Sequence, residues 1–337
     1  MSNNSGIGNQ TKRLCQMLKP FRILAIDSTG FSKNKKQNWG WYEGFNGYKI
    51  NGFPSNNEVD VFLKDLTHVL CVENPFSFYM LRKAKQMGIK LYIQSNYEFC
   101  DHLNNNVTLP EKFLMPSYWM VDEMKARFGD HMVEYLPPPL DPNEFKEARE
   151  INFLHSGPRK LLHVVGTLAV HDRNGTLDVL HALKHSRANY TLEIRSQHPL
   201  PDEYMVDDYR LRYIIDDMSN PADLYKGYDG MILPRRYGGL SLTMNEALMS
   251  GLPVIMLDIS PNNRILPKEW LVPAYKAGQF MARTAIDVYN ADILELGSKI
   301  DWIANTDCEH IKTDAFDIAY TNFSPSQLQE AYNGLWI

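Results

Sequence analysis

The sequence predicts an α/β protein made of two doubly wound, Rossmann-like domains facing across a cleft. Three observations carry that expectation. The chain has 337 residues, 44% of them apolar, enough to fill two cores at roughly 150 residues per domain. Short apolar runs alternate with helical patterns along most of its length, which is the mark of parallel βαβ units. The stretch Tyr135–Asp141 (YLPPPLD), followed by EFKEARE, interrupts the alternation, because three successive prolines continue neither a sheet nor a helix and favour a stiff connector.

The elements follow in order. Strands are expected at 21–27, 67–72, 89–94, 112–115, 161–165, 190–196, 211–215, 230–233 and 253–257. Helices are expected at 10–18, 57–66, 75–87, 118–128, 176–185, 221–227, 243–249, 292–305 and 326–335. The pattern restarts after the prolines, so domains are placed at 1–145 and 150–320, with ligands expected at the carboxyl ends of the strands. Gly6-Ile7-Gly8 reads as a tight turn opening a helix. With five residues ahead of it, the first strand of a Rossmann-like domain is expected either to be absent or to be Phe21–Asp27.

Composition excludes several classes. The net charge of −5 argues against a general nucleic-acid coat protein, although residues 1–50 carry eight Lys/Arg against two acids, Asp27 and Glu43. Cys15, Cys71, Cys100 and Cys308 lie far apart without a C-x-x-C pair, and the ten histidines, His155, His163 and His171 among them, show no metal-ligand spacing. No apolar run approaches the roughly 20 residues of a membrane span. MSNNSGIGNQ has neither the basic nor the apolar part of a signal peptide. A soluble, cytoplasmic protein without integral membrane association and without a metal is expected.

The chemistry concentrates in 233–267, LPRRYGGLSLTMNEALMSGLPVIMLDISPNNRILP. It reads as strand, glycine loop, helix, turn and strand. Gly238 and Gly239 let backbone approach a ligand, and the helix beyond them points amides back at the loop, a setting suited to a diphosphate. Glu246, one turn into the helix, suits the hydroxyls of a ribose.

Glu246-Ala247, Gly251, Pro253 and Val254 resemble the second half of the donor-sugar motif of GT-B glycosyltransferases, in particular family 4 and related sequences. In that family a glutamate, a glycine-rich loop and a second glutamate eight positions later lead into E-A-x-x-x-G-x-P-V; the first glutamate falls on Gly238 here. Gly6-Ile7-Gly8 is similar to the family's N-terminal glycine loop, and Met115-Pro116-Ser117 to the stretch ending its first domain. Val164-Val165-Gly166 with Arg173-Asn174-Gly175 resembles its V-G-R-x-x-x-x-K-G strand and loop, with Thr167 in place of the first basic residue. Ser324–Trp336 resembles its C-terminal helix, so 321–337 is expected to cross back to the first domain.

The resemblance implies a retaining transferase that needs no metal and no cofactor beyond its co-substrate, a nucleoside-diphosphate sugar with UDP or GDP foremost. It assigns Glu246 to the ribose. The donor site is expected to comprise Gly238, Gly239, Leu240, Ser241, Leu242, Gly8, Asn262 and Asn263. Arg173 and Arg195, with the pair Arg235-Arg236 as a further option, are candidates to stabilise the leaving diphosphate. Glu98 is a catalytic candidate beside Tyr97 on the acceptor side, and Glu73 and Asn74 stand similarly at the preceding strand end. Lysines alternate with aromatics in 33–48, so Lys35, Lys36, Trp39 and Trp41 are candidates to hold an acceptor. That acceptor is a glycan or another small hydroxyl compound, or a hydroxymethylated DNA base. The rival readings are a nucleotide-sugar epimerase and a non-catalytic nucleotide-sugar-binding protein.

Overall fold

The computed structural model describes residues 6–27, 42, 44–73, 75, 77–103, 107–216, 218 and 220–337, with backbone alone for 27, 48–51 and 308. The chain divides into two compact units. Unit 1 comprises residues up to Pro139 together with 282–284 and Pro325–Ile337; unit 2 comprises Leu140–Met281 and Ala285–Ser324.

Unit 1 opens with α1 (Gly6–Leu18), so the expected turn at Gly6-Ile7-Gly8 is the first turn of that helix. It continues through β1 (Ile23–Asp27), β2 (Gly47–Asn51), α2 (Asn56–Leu63), β3 (His68–Val72), α3 (Phe78–Gln86), β4 (Lys90–Gln94), β5 (Lys112–Met115), α4 (Val121–Phe128) and β6 (Val133–Tyr135). Ser55 and Glu58 start α2 with a capping box: Glu58 N–H donates to Ser55 Oγ at 3.3 Å and Ser55 N–H to Glu58 Oε2 at 2.7 Å. Hydrogen-bonded pairs give a four-stranded parallel sheet in the order β3-β4-β5-β6 and a separate parallel pair β1-β2. Phe21–Asp27 thus supplies a strand, but it pairs with Gly47–Asn51, whose start lies at the end of the expected 33–48 loop.

Unit 2 begins with α5 (Lys146–Leu154), so EFKEARE enters a helix rather than extending the connector. Then come β7 (Lys160–Gly166), α6 (Thr176–Ala182), β8 (Thr191–Ser196), β9 (Leu211–Ile215), β10 (Gly230–Ile232), α7 (Leu242–Met249), β11 (Val254–Leu257) and β12 (Leu271–Val272). The hairpin β13 (Ala274–Met281) and β14 (Ala285–Ala291) precedes α8 (Ile293–Asn305) and α9 (Cys308–Phe323). The sheet runs β12-β11-β10-β7-β8-β9, all parallel. Numbered along the chain this is the order 3-2-1-4-5-6, whose switch point lies between β7 and β10. Strand β7 (KLLHVVG) is apolar without alternation because helices cover both faces; its five central residues are buried.

A buried ion pair fixes α9 to this sheet. Lys312 Nζ donates to Asp229 Oδ1 at 3.0 Å and to the Asn152 carbonyl at 2.7 Å, while Lys160 N–H donates to Asp229 Oδ2 at 2.9 Å. These partners hold the Asp229 carboxyl below its ordinary range although burial pushes the other way.

The chain ends with α10 (Pro325–Gly334) on unit 1. Tyr332 Oη donates to the Pro137 carbonyl at 2.9 Å and accepts from Gln94 Nε2 at 2.8 Å, and Tyr92 Oη donates to the Leu335 carbonyl at 2.6 Å. Leu14, Leu114, Leu136 and Leu328 close an apolar cluster around that network.

Candidate functional site

Two loops leave the sheet at the switch point of unit 2: residues 167–175 after β7 and 233–241 after β10. His163 in β7 ties them together beneath the surface. Its Nδ1 lies 2.7 Å from the Ile232 carbonyl and its Nε2 3.0 Å from Thr176 Oγ1. A carbonyl only accepts, so Nδ1 carries the proton and Nε2 accepts from the threonine hydroxyl. Complete burial pushes the pKa of this imidazole down, keeping it neutral.

Each loop leads into a helix, and the two helix ends differ. At α6 the amides are already occupied: Asp172 accepts from Thr176 N–H at 3.0 Å and Leu177 N–H at 2.8 Å. At α7 the cap is the neutral hydroxyl of Ser241, which accepts from Met244 N–H at 3.3 Å. The Leu242 and Thr243 amides ahead of it have no intrahelical acceptor. An anion is therefore repelled from the start of α6 by Asp172 and attracted to the start of α7.

Cations gather at that second end. Gly238 holds φ +101°, and a β-carbon there would collide with the Arg173 guanidinium and come within 2.9 Å of Arg235 Nη2. Gly175 plays the same part between the loops, since a β-carbon on it would collide with the Pro234 carbonyl. Asn174 Nδ2 donates to the Val164 and Val165 carbonyls at 3.0 and 3.2 Å, fixing the base of the Arg173 loop. The Arg173 guanidinium lies 5.3 Å from the Tyr237 ring centroid, and Tyr237 packs edge-on against Phe280 of β13 at 4.9 Å.

Glu246 is buried in the second turn of α7, where Tyr225 Oη donates to its Oε2 at 2.7 Å. That bond fixes the orientation of its carboxylate. Beside it Asn245 is buried with Oδ1 lacking a hydrogen-bond partner among the described residues, which leaves an acceptor for a ligand donor. Among the described residues no group of three His, Cys, Asp or Glu side chains is placed to hold a metal ion, and no helix is long and apolar enough to cross a membrane.

Neither a protein-family model nor a curated protein matches the sequence. Solved structures do match in shape. Anabaena HepE in complex with UDP aligns over 100% of this chain and 97% of its own, with TM-score 0.70 and 11% identity. The lipopolysaccharide outer core galactosyltransferase WaaB, in its apo form, aligns over 100% and 96%, with TM-score 0.67 and 13% identity. A glycosyltransferase from Rickettsia africae aligns over 97% and 93%, with TM-score 0.64 and 12% identity. The chain has the GT-B fold.

Within this GT-B chain the expected site residues separate. Arg173, Gly238, Gly239, Leu240, Ser241 and Leu242 meet at the start of α7, with Glu246 one turn behind. Arg195 belongs to a different network: its Nε donates to Tyr228 Oη at 2.9 Å, and its Nη2 lies 3.4 Å from Glu193 Oε2. Of the adjacent pair, Arg235 reaches the loop whereas Arg236 turns to β14 and the 167–175 loop, donating to the Tyr289 carbonyl at 3.0 Å, the His171 carbonyl at 2.7 Å and Asn290 Oδ1. Asn262 donates to the Leu257 carbonyl at 3.0 Å and Asn263 to Asp258 at 3.0 Å, so both amides finish the turn after β11.

In unit 1 Gly8 is buried in α1. Tyr97 is buried edge-on against Trp119 at 5.7 Å, and Glu98 is buried next to it. Asn96 Nδ2 donates to Glu73 Oε1 at 3.3 Å, and burial, assisted by the Glu98 charge, pushes the Glu73 carboxyl up to about 7. Lys35, Lys36, Trp39, Trp41 and Asn74 lie outside the described residues.

Three contributors escape a reading by motif: Asp172, Asn245 and Tyr225. Asp172 had a signal, since an acid four residues before Thr176 is in reach of a helix start. Asn245 had only its place beside Glu246, and nothing in the sequence pairs Tyr225 with a glutamate 21 residues later.

Proposed function

We propose that the chain is a glycosyltransferase that moves a sugar from a nucleoside diphosphate to a hydroxyl acceptor, with retention at the anomeric carbon. The observation that carries this reading is the convergence of Arg173 and Arg235 on Gly238 at the open end of α7, with Glu246 held one turn behind. Breaking the sugar–diphosphate bond moves charge onto the leaving group. The two guanidinium groups and the α7 amides are preorganised where that charge collects, while Glu246 and Asn245 Oδ1 accept from the nucleoside. The likeness to HepE bound to UDP supports uridine as the base. Arg195, in its own network with Glu193, is not given a part in the step.

The acceptor is assigned to unit 1, where Glu73 and Glu98 follow the ends of β3 and β4. A small glycan hydroxyl is the acceptor we favour. Because the charge is carried by residues, turnover should persist in EDTA.

Titration of the protein with UDP, GDP and ADP, followed by thermal midpoint, tests the reading. Ligand at 100 times Kd stabilises by about 2.7 kcal/mol. A rise with UDP that Glu246→Gln removes is expected; no rise with any of the three overturns it.

A further inference from the structure

The six-stranded sheet of unit 2 has two edges, and they are finished differently. At one end both residues of β12 are buried. At the other, β9 runs LRYII into Asp216 with no strand beyond it among the described residues. Ile215 is 55% exposed, and Arg212 and Asp216 are exposed on either side of the half-buried Tyr213 and Ile214. The apolar residues Met205, Val206 and Tyr209 ahead of the strand are exposed too. Val206 N–H donates to Tyr213 Oη at 2.9 Å, holding that segment against β9.

Two ladder bonds show which backbone groups face outward. The Arg210 carbonyl accepts from Leu192 N–H at 2.8 Å, and Asp216 N–H donates to the Ser196 carbonyl at 3.0 Å. Even-numbered residues therefore pair with β8, and by alternation the amides and carbonyls of Tyr213 and Ile215 point away from it. Sheets commonly blunt such an edge with lysine, proline or a bulge. Here the β8–β9 register is continuous and 211–216 contains neither residue. Arg212 Nη1 donates to the Tyr209 carbonyl at 3.1 Å and the Leu211 carbonyl at 2.7 Å, which covers only the start of the edge.

We propose that β9 is an interface with a second copy of this chain, the two β9 strands pairing antiparallel about a two-fold axis at Ile214. That axis sets Tyr213 opposite Ile215 of the second copy and Arg212 opposite its Asp216. Tyr213 and Ile215 carry the outward amides and carbonyls, so they exchange backbone hydrogen bonds in both directions. Arg212 and Asp216 fall at non-hydrogen-bonded positions, where opposing side chains come closest and opposite charges attract. Arg212 uses Nη1 on its own chain, which leaves Nε and Nη2 for the carboxylate. Ile214 meets its own counterpart between the two charge pairs, and the contact is isologous, so each attraction occurs twice. Moving the axis to Tyr213 sets Arg212 against Ile214 and brings Asp216 to Arg210, whose guanidinium Asp208 already holds at 2.7 Å. The charges thus select both the second copy and the register. An unrelated extended peptide would use the same backbone groups without needing Arg212 and Asp216 as a pair.

Sedimentation equilibrium of the full chain tests this. The weight-average mass should rise toward twice that of the monomer between about 1 and 100 μM, the range of a small interface. Amide exchange at 213 and 215 should slow by about tenfold over that range, while 212 and 214, which already pair with β8, stay as they were. Arg212→Asp sets like charges together twice in each dimer and should weaken association about tenfold or more, as should Asp216→Arg. Both side chains are exposed, so the thermal midpoint of each variant should stay near that of the parent. The double reversal restores opposite charges and should return Kd to within about threefold of the parent. A chain that stays monomeric to about 100 μM overturns the proposal. So does a dimer whose Kd the single reversals leave unmoved, or one that the double reversal fails to rescue, since either result removes the Arg212–Asp216 pairing.

Discussion

Strand β10 lies inside its sheet and β3 at the end of its own: every residue of β10 is buried, while four of the five in β3 are partly exposed. Their sequences do not account for this: HVLCV is at least as apolar as GMI. The neighbour does. Strand β10 is paired on both sides, with β7 and β11, whereas β3 is paired among the described residues with β4 alone and its other edge lines a cavity. Burial at the middle of a parallel sheet is thus conferred by the adjoining strand and its helices, not by the strand's own composition.

The largest effect that would break the contrast is loss of the buried pair in unit 2. Lys312→Ala removes the buried ammonium from Asp229 and leaves that carboxylate only Arg159 at 3.4 Å, His155 at 3.2 Å and the Lys160 amide, so unfolding free energy should fall toward the low end of about 3–5 kcal/mol, measured by urea denaturation. Hydrogen exchange on the same variant should then show unit 2 opening before unit 1. If Asp229 tolerates the loss with less than about 1 kcal/mol, this pin is not what makes unit 2 firm.

A second test separates chemistry from firmness within unit 2. Arg173→Ala should lower donor turnover about 10²-fold or more while leaving the thermal midpoint near that of the parent, because the side chain reaches the loop rather than the core. Turnover within twofold would remove Arg173 from the leaving-group site.

Gly238→Ala should cost roughly 1–3 kcal/mol through its left-handed backbone and weaken UDP binding by displacing Arg173. Calorimetric Kd reads the second effect and thermal unfolding the first. A variant that binds UDP like the parent would dissociate the guanidinium from the diphosphate.

The smallest effects concern pH, and here the units should move in opposite senses. Folding lowers the pKa of His163, so its share of unit 2 stability is present above about 6.5 and lost as pH falls. Folding raises Glu73 from 4.5 to about 7, so its share of unit 1 stability is present below 4.5 and lost as pH rises through about 7. His68 and His102 of unit 1 are also lowered by burial and oppose Glu73, so the comparison is made against Glu73→Gln. That variant should lose the decline in unit 1 stability between pH 5 and 7.5, followed by exchange at β3 and β4. An unchanged pH profile would place the Glu73 carboxyl in ordinary solvent.

Sequence periodicity located five of the six parallel strands of unit 2 within a residue or two because each is a short apolar run bounded by turns; it missed the two-residue β12 (Leu271–Val272), too short to show a pattern. It missed β13 and β14, whose residues mix Gly, Lys, Gln and Asp and whose pairing is local and antiparallel. It also missed α9, although Ile311, Ala315 and Ala319 recur every four residues. At the site, the glycine loop and Glu246 were legible from spacing. The use of each arginine was not: Arg235 and Arg236 are neighbours in sequence, and only the return of β14 past Arg236 takes one of them away. Arg195 likewise depends on Glu193 two residues earlier on the same face of β8, a pairing that alternation permits but does not require.

The network that binds α10 to unit 1 carries a consequence for the order in which the molecule comes into being. Tyr332 and Leu335 are needed to cover Gln94 and Tyr92, yet they are synthesised after every residue of unit 2. Unit 2, by contrast, has all its parts by Ser324. On a ribosome adding about 5–20 residues per second, the later unit in the sequence is the first to be complete. The earlier one waits, with an apolar face uncovered, for the chain to return to it.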